Sequence, residues 1–232
     1  MKILDNRKKL LFYVDKFNIG DFFEVAMVDN MELHVFSRGE QLFRSSEKIH
    51  YFYFMVDGKA KVNTLLKNGK SLLLRFYRPL QVLGDVEFLN YDHTHCNVEA
   101  LSDVTCIGIP LDHLRTVASK DVKFLQFLCK SLSYKLANSS YWNSVNLLYP
   151  LENRLSSYIL AIADHDADYT IPLNEIETHK LTDMAELLGT SYRHLNRTLN
   201  NLCQRGIIKK DRNSIVITDR QSLEELAGDL YE

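Results

Sequence analysis

Between Lys180 and Thr218 the chain reads KLTDMAELLGTSYRHLNRTLNNLCQRGIIKKDRNSIVIT, and this stretch leaves little freedom of fold. Thr182 is a residue type that caps helix N-termini, and Met184, Ala185, Leu187 and Leu188 follow at helical spacing. Gly189 interrupts the run with a residue free to take a left-handed turn. Ser191 is placed to cap a second helix, with Leu195, Leu199 and Leu202 on its apolar side. Tyr192, Arg193, Asn196, Arg197 and Asn200 fall on the other side, and Gly206 ends the helix. Ile207-Ile208 and Ile215-Val216-Ile217 read as two short strands joined by Lys209-Lys210-Asp211-Arg212-Asn213. The pattern predicts a helix-turn-helix followed by a β wing.

Charge points to the partner. From Lys180 to Arg212 seven cations stand against three anions, in a chain whose net charge is −2. A local basic patch in a mildly acidic protein implies a phosphate-facing surface. Exposed Arg, Asn and Arg on the second helix are what major-groove readout needs. The alternative is a winged helix that contacts protein, within a ligand-, redox- or metal-sensing module.

A length of 232 residues allows one or two domains, and 46% apolar residues are enough for real cores. The start, MKILDNRKKLLFYVDKF, puts charges where a signal peptide would be apolar. No apolar run approaches membrane-spanning length. Cys96, Cys106, Cys129 and Cys203 are scattered without a CxxC, which argues against a structural zinc or disulfide framework and suits a reducing cytoplasm. With no GxSxG, no P-loop and no acid/base pair at catalytic spacing, an enzyme is not expected.

Residues 1 to about 30 read as helical and irregular, with an apolar stripe of Leu10, Leu11, Val14 and Phe17. From Met31 to Pro110 short apolar runs alternate with turn signals such as Asp57-Gly58 and Asn68-Gly69, predicting an antiparallel sandwich or barrel such as a jelly roll. Val82 to Leu89 reads as a short helix inserted in it. From Asp121 to Leu148 no Gly or Pro occurs, and Leu125, Leu128, Leu132, Leu136 and Ser139 step by threes and fours, with Asn143 and Asn146 continuing the line. Such a seam predicts pairing with a twin helix; the alternative is packing on the chain's own barrel. Pro150 makes a hinge before a further helix, Leu151 to Ala163, and Asp164, Asp166 and Asp168 read as a solvated turn. The expected fold is α+β: a β-barrel effector or sensor domain over 1–120, a dimerisation helix and hinge over 121–149, and a winged-helix DNA-binding domain over 150–232.

Several stretches resemble the CRP/FNR family of bacterial transcription regulators across nearly the whole chain. They are Tyr53-Phe54-Met55-Val56-Asp57-Gly58-Lys59-Ala60-Lys61-Val62, Leu83-Gly84-Asp85, Glu152-Asn153-Arg154-Leu155, and Leu187-Leu188-Gly189-Thr190-Ser191 with Arg197. Gly189 to Leu195 is further similar to the YeiL-type subgroup. The resemblance implies a cyclic-nucleotide-binding-like jelly roll and a homodimer on two-fold symmetric double-stranded DNA. It also implies RNA polymerase as a partner, and a small-molecule effector in the barrel that acts through the long helix. Effector-pocket positions carried over are Gly84, Asp85, Val86, Glu87, His95, Ser139 and Ser140. DNA-contacting positions are Ser191, Tyr192, Arg193, Asn196, Arg197 and Lys209.

The departures narrow the effector. Cyclic-AMP-binding members grip the phosphate with an Arg-Ser pair where this chain has Thr94-His95-Cys96, and Glu87 adds a carboxylate. Without a bidentate guanidinium, cyclic AMP is not expected. No cysteine precedes Cys96, so the iron-sulfur cluster of another branch is not expected either. His93, His95 and Cys96 carry metal-ligand atoms but read as a solvated loop, with no metal expected. Cys96 and Cys106 would form a redox pair only if their strands were adjacent. Tyr192 and Arg193 stand where members reading the best-known site carry Arg and Glu, so the operator should differ.

Overall fold

The computed structural model describes residues 1–24, 26–90, 93–163, 170–172, 178–210, 214–228 and 230. Its contacts divide the chain into two units, Met1–Thr64 with Phe76–Ser139, and Leu65–Arg75 with Ser140–Glu232.

Alternation along strands builds the first unit. The strands are β1 (Lys2–Leu4), β2 (Glu32–Phe36), β3 (Gln41–Phe43), β4 (Tyr51–Asp57), β5 (Ala60–Leu65), β6 (Ser71–Tyr77), β7 (Gln81–Leu83), β8 (Cys96–Ala100) and β9 (Val104–Pro110). They make a five-stranded sheet, β1-β2-β9-β4-β7, and a four-stranded one, β3-β8-β5-β6. The β4 residues Phe52 to Val56 are all buried because both faces of the strand are covered. Tyr53 points between the sheets, with its ring 5.9 Å from Phe43 of β3. There it meets wholly buried His34, whose Nδ1 lies 3.0 Å from the Tyr53 hydroxyl and whose Nε2 lies 2.9 Å from the Glu32 carboxylate. Gly108 makes the room: a Cβ there would stand 2.9 Å from the Tyr53 ring and 3.3 Å from the His34 ring. Burial raises the Tyr53 phenol and the Cys106 thiol above their ordinary values.

Phe52 and Phe54 leave the opposite face of β4 and receive the helices. These are α1 (Arg7–Lys16), α2 (Asp85–Asn90), α3 (Leu111–Ala118) and α4 (Val122–Leu148). Asp121 starts α4 by accepting the Phe124 amide at 3.0 Å, and its other oxygen holds the Glu24 amide at 2.7 Å. Phe124 then stacks on Phe23 at 5.0 Å and meets Phe88 at 5.2 Å and Phe52 at 5.6 Å, all between centroids. Phe127 stacks on Phe22 at 4.1 Å. Aromatic packing of this density seats the first turns of α4 on the sheet.

The second unit is α5 (Leu151–Ile162), β10 (Thr170–Pro172), α6 (Thr178–Leu187), α7 (Tyr192–Gln204), β11 (Ile208–Lys210), β12 (Ser214–Ile217) and α8 (Arg220–Ala227). Its sheet has the order β10-β12-β11. The tip of the β5–β6 hairpin belongs here too. Arg75 lies over the Trp142 ring at 4.9 Å, the Leu73 carbonyl accepts from the Asn146 amide at 3.2 Å, and a Cβ on Gly189 would meet Leu72 at 3.4 Å.

Several expectations change. The α1 stripe is Leu10, Tyr13 and Val14, while Leu11 is exposed. Helix α6 begins at Thr178, so Thr182 lies inside it rather than at its cap. Leu128 is 1% exposed within its own chain and so is unavailable to a seam, whereas Leu136 is 74% exposed. With Leu125 and Leu132 half-buried and Cys129 and Leu136 exposed, the apolar row left partly open is Leu125, Cys129, Leu132 and Leu136. Cys96 on β8 and Cys106 on β9 lie in different sheets, which removes the redox pair. The Asp164–Asp168 turn and Asp211 to Asn213 of the wing loop lie outside the described residues.

Phe124→Ala should destabilise the chain by about 3–5 kcal/mol in urea-induced unfolding, as loss of a fully buried Phe does. Tyr134→Ala on the exposed side of α4 should stay within about 0.5 kcal/mol of wild type in the same assay.

Candidate nucleic-acid interface

Three buried leucines, Leu195, Leu199 and Leu202, fasten one side of α7. Ser191 caps its N-terminus in extended geometry, its hydroxyl accepting the His194 amide at 3.2 Å. The turn before it is closed by Thr190 N–H to the Ala185 carbonyl at 2.8 Å and Gly189 N–H to Glu186 at 2.9 Å, with Gly189 at φ +61. That geometry favours glycine, as the sequence implied. On the free side, Tyr192, Arg193, His194, Arg197, Asn200, Asn201 and Gln204 are exposed. Among the described residues, no carboxylate ion-pairs with Arg193 or Arg197. Asn196 is half-buried and accepts the Lys210 ammonium from the wing at 3.3 Å. Lys209 and Lys210 are exposed on β11, in register with Val216 and Ile215 of β12.

The motif Glu152-Asn153-Arg154-Leu155 explains why α7 stands where it does. Arg154, nearly buried, donates to the Tyr149 carbonyl at 3.2 Å and to the Leu188 carbonyl at the end of α6. Glu152 pairs with Arg205 just past the end of α7. Asn153 donates to the Leu226 carbonyl of α8 at 2.8 Å, and Leu155 is wholly buried. One turn of α5 therefore holds three other helices. Arg205 is consumed in that role, so it leaves the basic face that its charge alone implied. His194 falls outside the expected contact set; its exposure one helical step from Arg193 is a feature of three-dimensional phase rather than of charge.

The effector-pocket positions divide. Gly84 (φ +93) turns the chain into α2. Asp85 and Glu87 are buried, whereas Val86 and His95 are exposed; Ser139 is half-buried and Ser140 exposed. Asp85 is met by two α4 side chains that sequence reading missed. The Lys135 ammonium lies 2.8 Å from its carboxylate, and the Ser131 hydroxyl donates to it at 3.1 Å. Burial raises the Glu87 carboxyl, with the Thr94 hydroxyl bond and Lys135 opposing and Asp85 adding to the rise. Arg115 donates to the Glu87 and Phe88 carbonyls at 2.7 and 3.1 Å, so it closes the end of α2 rather than serving a ligand. Among the described residues no group of three or more His, Cys, Asp or Glu converges as a metal site.

An antiparallel two-sheet roll, a long helix and a winged helix-turn-helix in this order define a CRP/FNR-type transcription regulator, and comparison with known proteins agrees. Residues 33–121 match the cyclic nucleotide-binding domain and residues 153–226 the Crp-like helix-turn-helix domain. The chain belongs to the CRP/FNR family. It is 28% identical over 206 residues to the regulatory protein YeiL of Escherichia coli O157:H7, covering 89% of this chain and 90% of that one. It is 23% identical over 201 residues to a CRP-like cAMP-activated global transcriptional regulator of Mycobacterium tuberculosis, covering 85% and 89%. Two solved structures share the fold. A CRP-family transcriptional regulator from Thermus thermophilus has a TM-score of 0.65 at 17% identity, covering 86% of this chain and 98% of that one. A crp/fnr-family protein from Eubacterium rectale has a TM-score of 0.72 at 15% identity, covering 97% and 94%.

The raised Glu87 carboxyl fixes the sign of a pH effect. A carboxyl whose folded value exceeds its unfolded one contributes fully below the ordinary glutamate range and loses that contribution as pH rises through the raised value. Glu87→Gln should therefore raise the thermal unfolding midpoint at about pH 8 and change it least at about pH 5. Equal shifts at both pH values would contradict the assignment.

Proposed function

We propose that the protein is a homodimeric, sequence-specific DNA-binding regulator that acts on a two-fold symmetric operator in the cytoplasm, with RNA polymerase as its partner at the promoter. The observation that carries this is α7 itself: Arg193 and Arg197 stand exposed on a helix fastened from behind by three buried leucines. Arg193 and Arg197 read base edges, the pairing of Arg with guanine being the commonest specific contact. Ser191 and Lys209 touch phosphate, and Tyr192 and Asn196 add base or phosphate contacts, Asn196 being steadied by Lys210. Two copies joined along Leu125, Cys129, Leu132 and Leu136 place the two α7 helices in half-sites about 34 Å apart. The barrel supplies the regulatory input through α4. Cyclic AMP, named for the mycobacterial relative, does not suit this barrel, because Glu87 is present and an arginine is missing from Thr94-His95-Cys96.

Selection of bound DNA from a random pool, followed by titration of the recovered site at several salt concentrations, tests the proposal. Affinity should fall by roughly 10³-fold or more between about 50 and 200 mM salt if six or more phosphates are engaged. Arg197→Ala should cost about 1–3 kcal/mol and relax one position of the site, whereas Lys209→Ala should weaken all sequences evenly and lower the salt slope by about 1. Salt-independent binding of a protein partner, with no DNA recovered, would replace this reading by a protein-contacting winged helix. Leu136→Glu should give a monomer by sedimentation equilibrium; an intact dimer would move the seam elsewhere.

A further inference from the structure

The inward row of α4 changes character along its length. Phe124 and Leu128 are buried among aromatic and aliphatic groups. The next two members of the same row, Ser131 and Lys135, are polar, and both are spent on Asp85. Lys135 extends its ammonium to the Val82 carbonyl at 2.7 Å and to the Asp85 carboxylate at 2.8 Å, beneath the Tyr77 ring at 5.5 Å. The pair is secluded, Asp85 being 2% exposed. Glu87 is buried near both groups, and burial raises its carboxyl. An anionic ligand entering here would meet the Asp85 carboxylate, and the cation that could receive it is already bonded on the chain's own account.

Apolar contacts tolerate a small slide or roll of a helix, whereas short directional bonds to a buried charge do not. The inward row Phe124, Leu128, Ser131 and Lys135 and the partly open row Leu125, Cys129, Leu132 and Leu136 run in the same steps, one residue apart. Holding the first therefore sets the second.

We propose that Lys135 is the barrel's built-in ligand: its ammonium fills the place beside α2 and fixes the register of α4 for pairing and operator binding, so that no anionic effector is required there. Lys135 is on this account a positioning residue, and the ligand class the place accepts is a primary ammonium. The proposal rests on the DNA-binding reading above, and its test separates the two.

The full-length Lys135→Ala variant is titrated against DNA selected by the wild type, at constant ionic strength. Operator affinity should fall by about tenfold or more, a typical coupling between distant parts of a protein. Propylammonium chloride should restore most of the loss, because it delivers a primary ammonium to the emptied place, and tetramethylammonium chloride at the same concentration should not. Undiminished affinity in Lys135→Ala, or a loss that propylammonium does not reverse, overturns the proposal. If Lys135→Ala does not fold, the double variant Asp85→Asn with Lys135→Met removes both charges at near-constant volume. Wild-type affinity and dimer mass in that folded double variant overturn the proposal, and weakened affinity or dimerisation supports it. A wild-type chain that selects no DNA overturns the DNA-binding reading instead, and the register claim is then decided on the dimer mass of the variants.

Discussion

Everything in the N-terminal unit depends on one packing event, the seating of the first turns of α4 on the phenylalanine face of β4. Phe22, Phe23, Phe52, Phe54, Phe88, Phe124 and Phe127 form a single aromatic layer between sheet and helices. Its energy is mostly non-directional burial, with ring geometry adding a smaller part. That layer decides which side of α4 faces inward. The Asp121 cap decides where the helix starts. The Asp85–Lys135 pair then supplies what a greasy layer cannot, a directional bond at a definite height along the axis. Isolated buried ion pairs are weak sources of stability because desolvation offsets attraction, and specificity of register is the better-attested reason to keep one.

The same division of labour recurs in the C-terminal unit. Leucines seat α7, while one turn of α5 aims it through bonds to backbone carbonyls and to Arg205. A guanidinium is suited to this work, since its fixed fork meets two carbonyls from different elements without losing its charge. The Glu152–Leu155 motif is thus a packing hub, and the exposed arginines Arg193 and Arg197 lie on the side of α7 away from its buried leucines. Substitutions at exposed Tyr192 and Arg193 would leave the Gly189 turn and the three leucines behind α7 undisturbed.

Much of this was legible from residues alone, and the failures are instructive. Helix α7 could be read because its leucines keep helical phase between a serine cap and Gly206, and because Gly189 marks the turn. The roll could be read from alternation and from Asn68-Gly69. Strands β1 and β10 could not, because three residues hold no alternation and their pairing is set by distant partners. Leu128 was misplaced for a related reason. Two rows on α4 run in identical steps one residue apart, and leucines occur in both, so spacing alone does not say which row faces the sheet. Asp85 and Glu87 read as pocket residues from sequence, but Lys135 does not, since a lysine on a long helix reads as solvated until a buried carboxylate is placed opposite it. Arg205 illustrates the reverse error: counted as part of a basic face, it proves to be neutralised by a residue over fifty positions earlier.

The hairpin tip at Leu65–Arg75 has a consequence for how such a chain can be cut or recombined. The C-terminal body is discontinuous in sequence: Arg75 covers Trp142, and the Leu73 carbonyl accepts from the Asn146 amide from the far side of three strands and two helices. A head domain excised at Ser140 would lose the guanidinium over its Trp142 ring and one acceptor of the Asn146 amide. Exchange of reading heads between relatives would therefore have to transplant an eleven-residue loop from the other half of the gene along with the head.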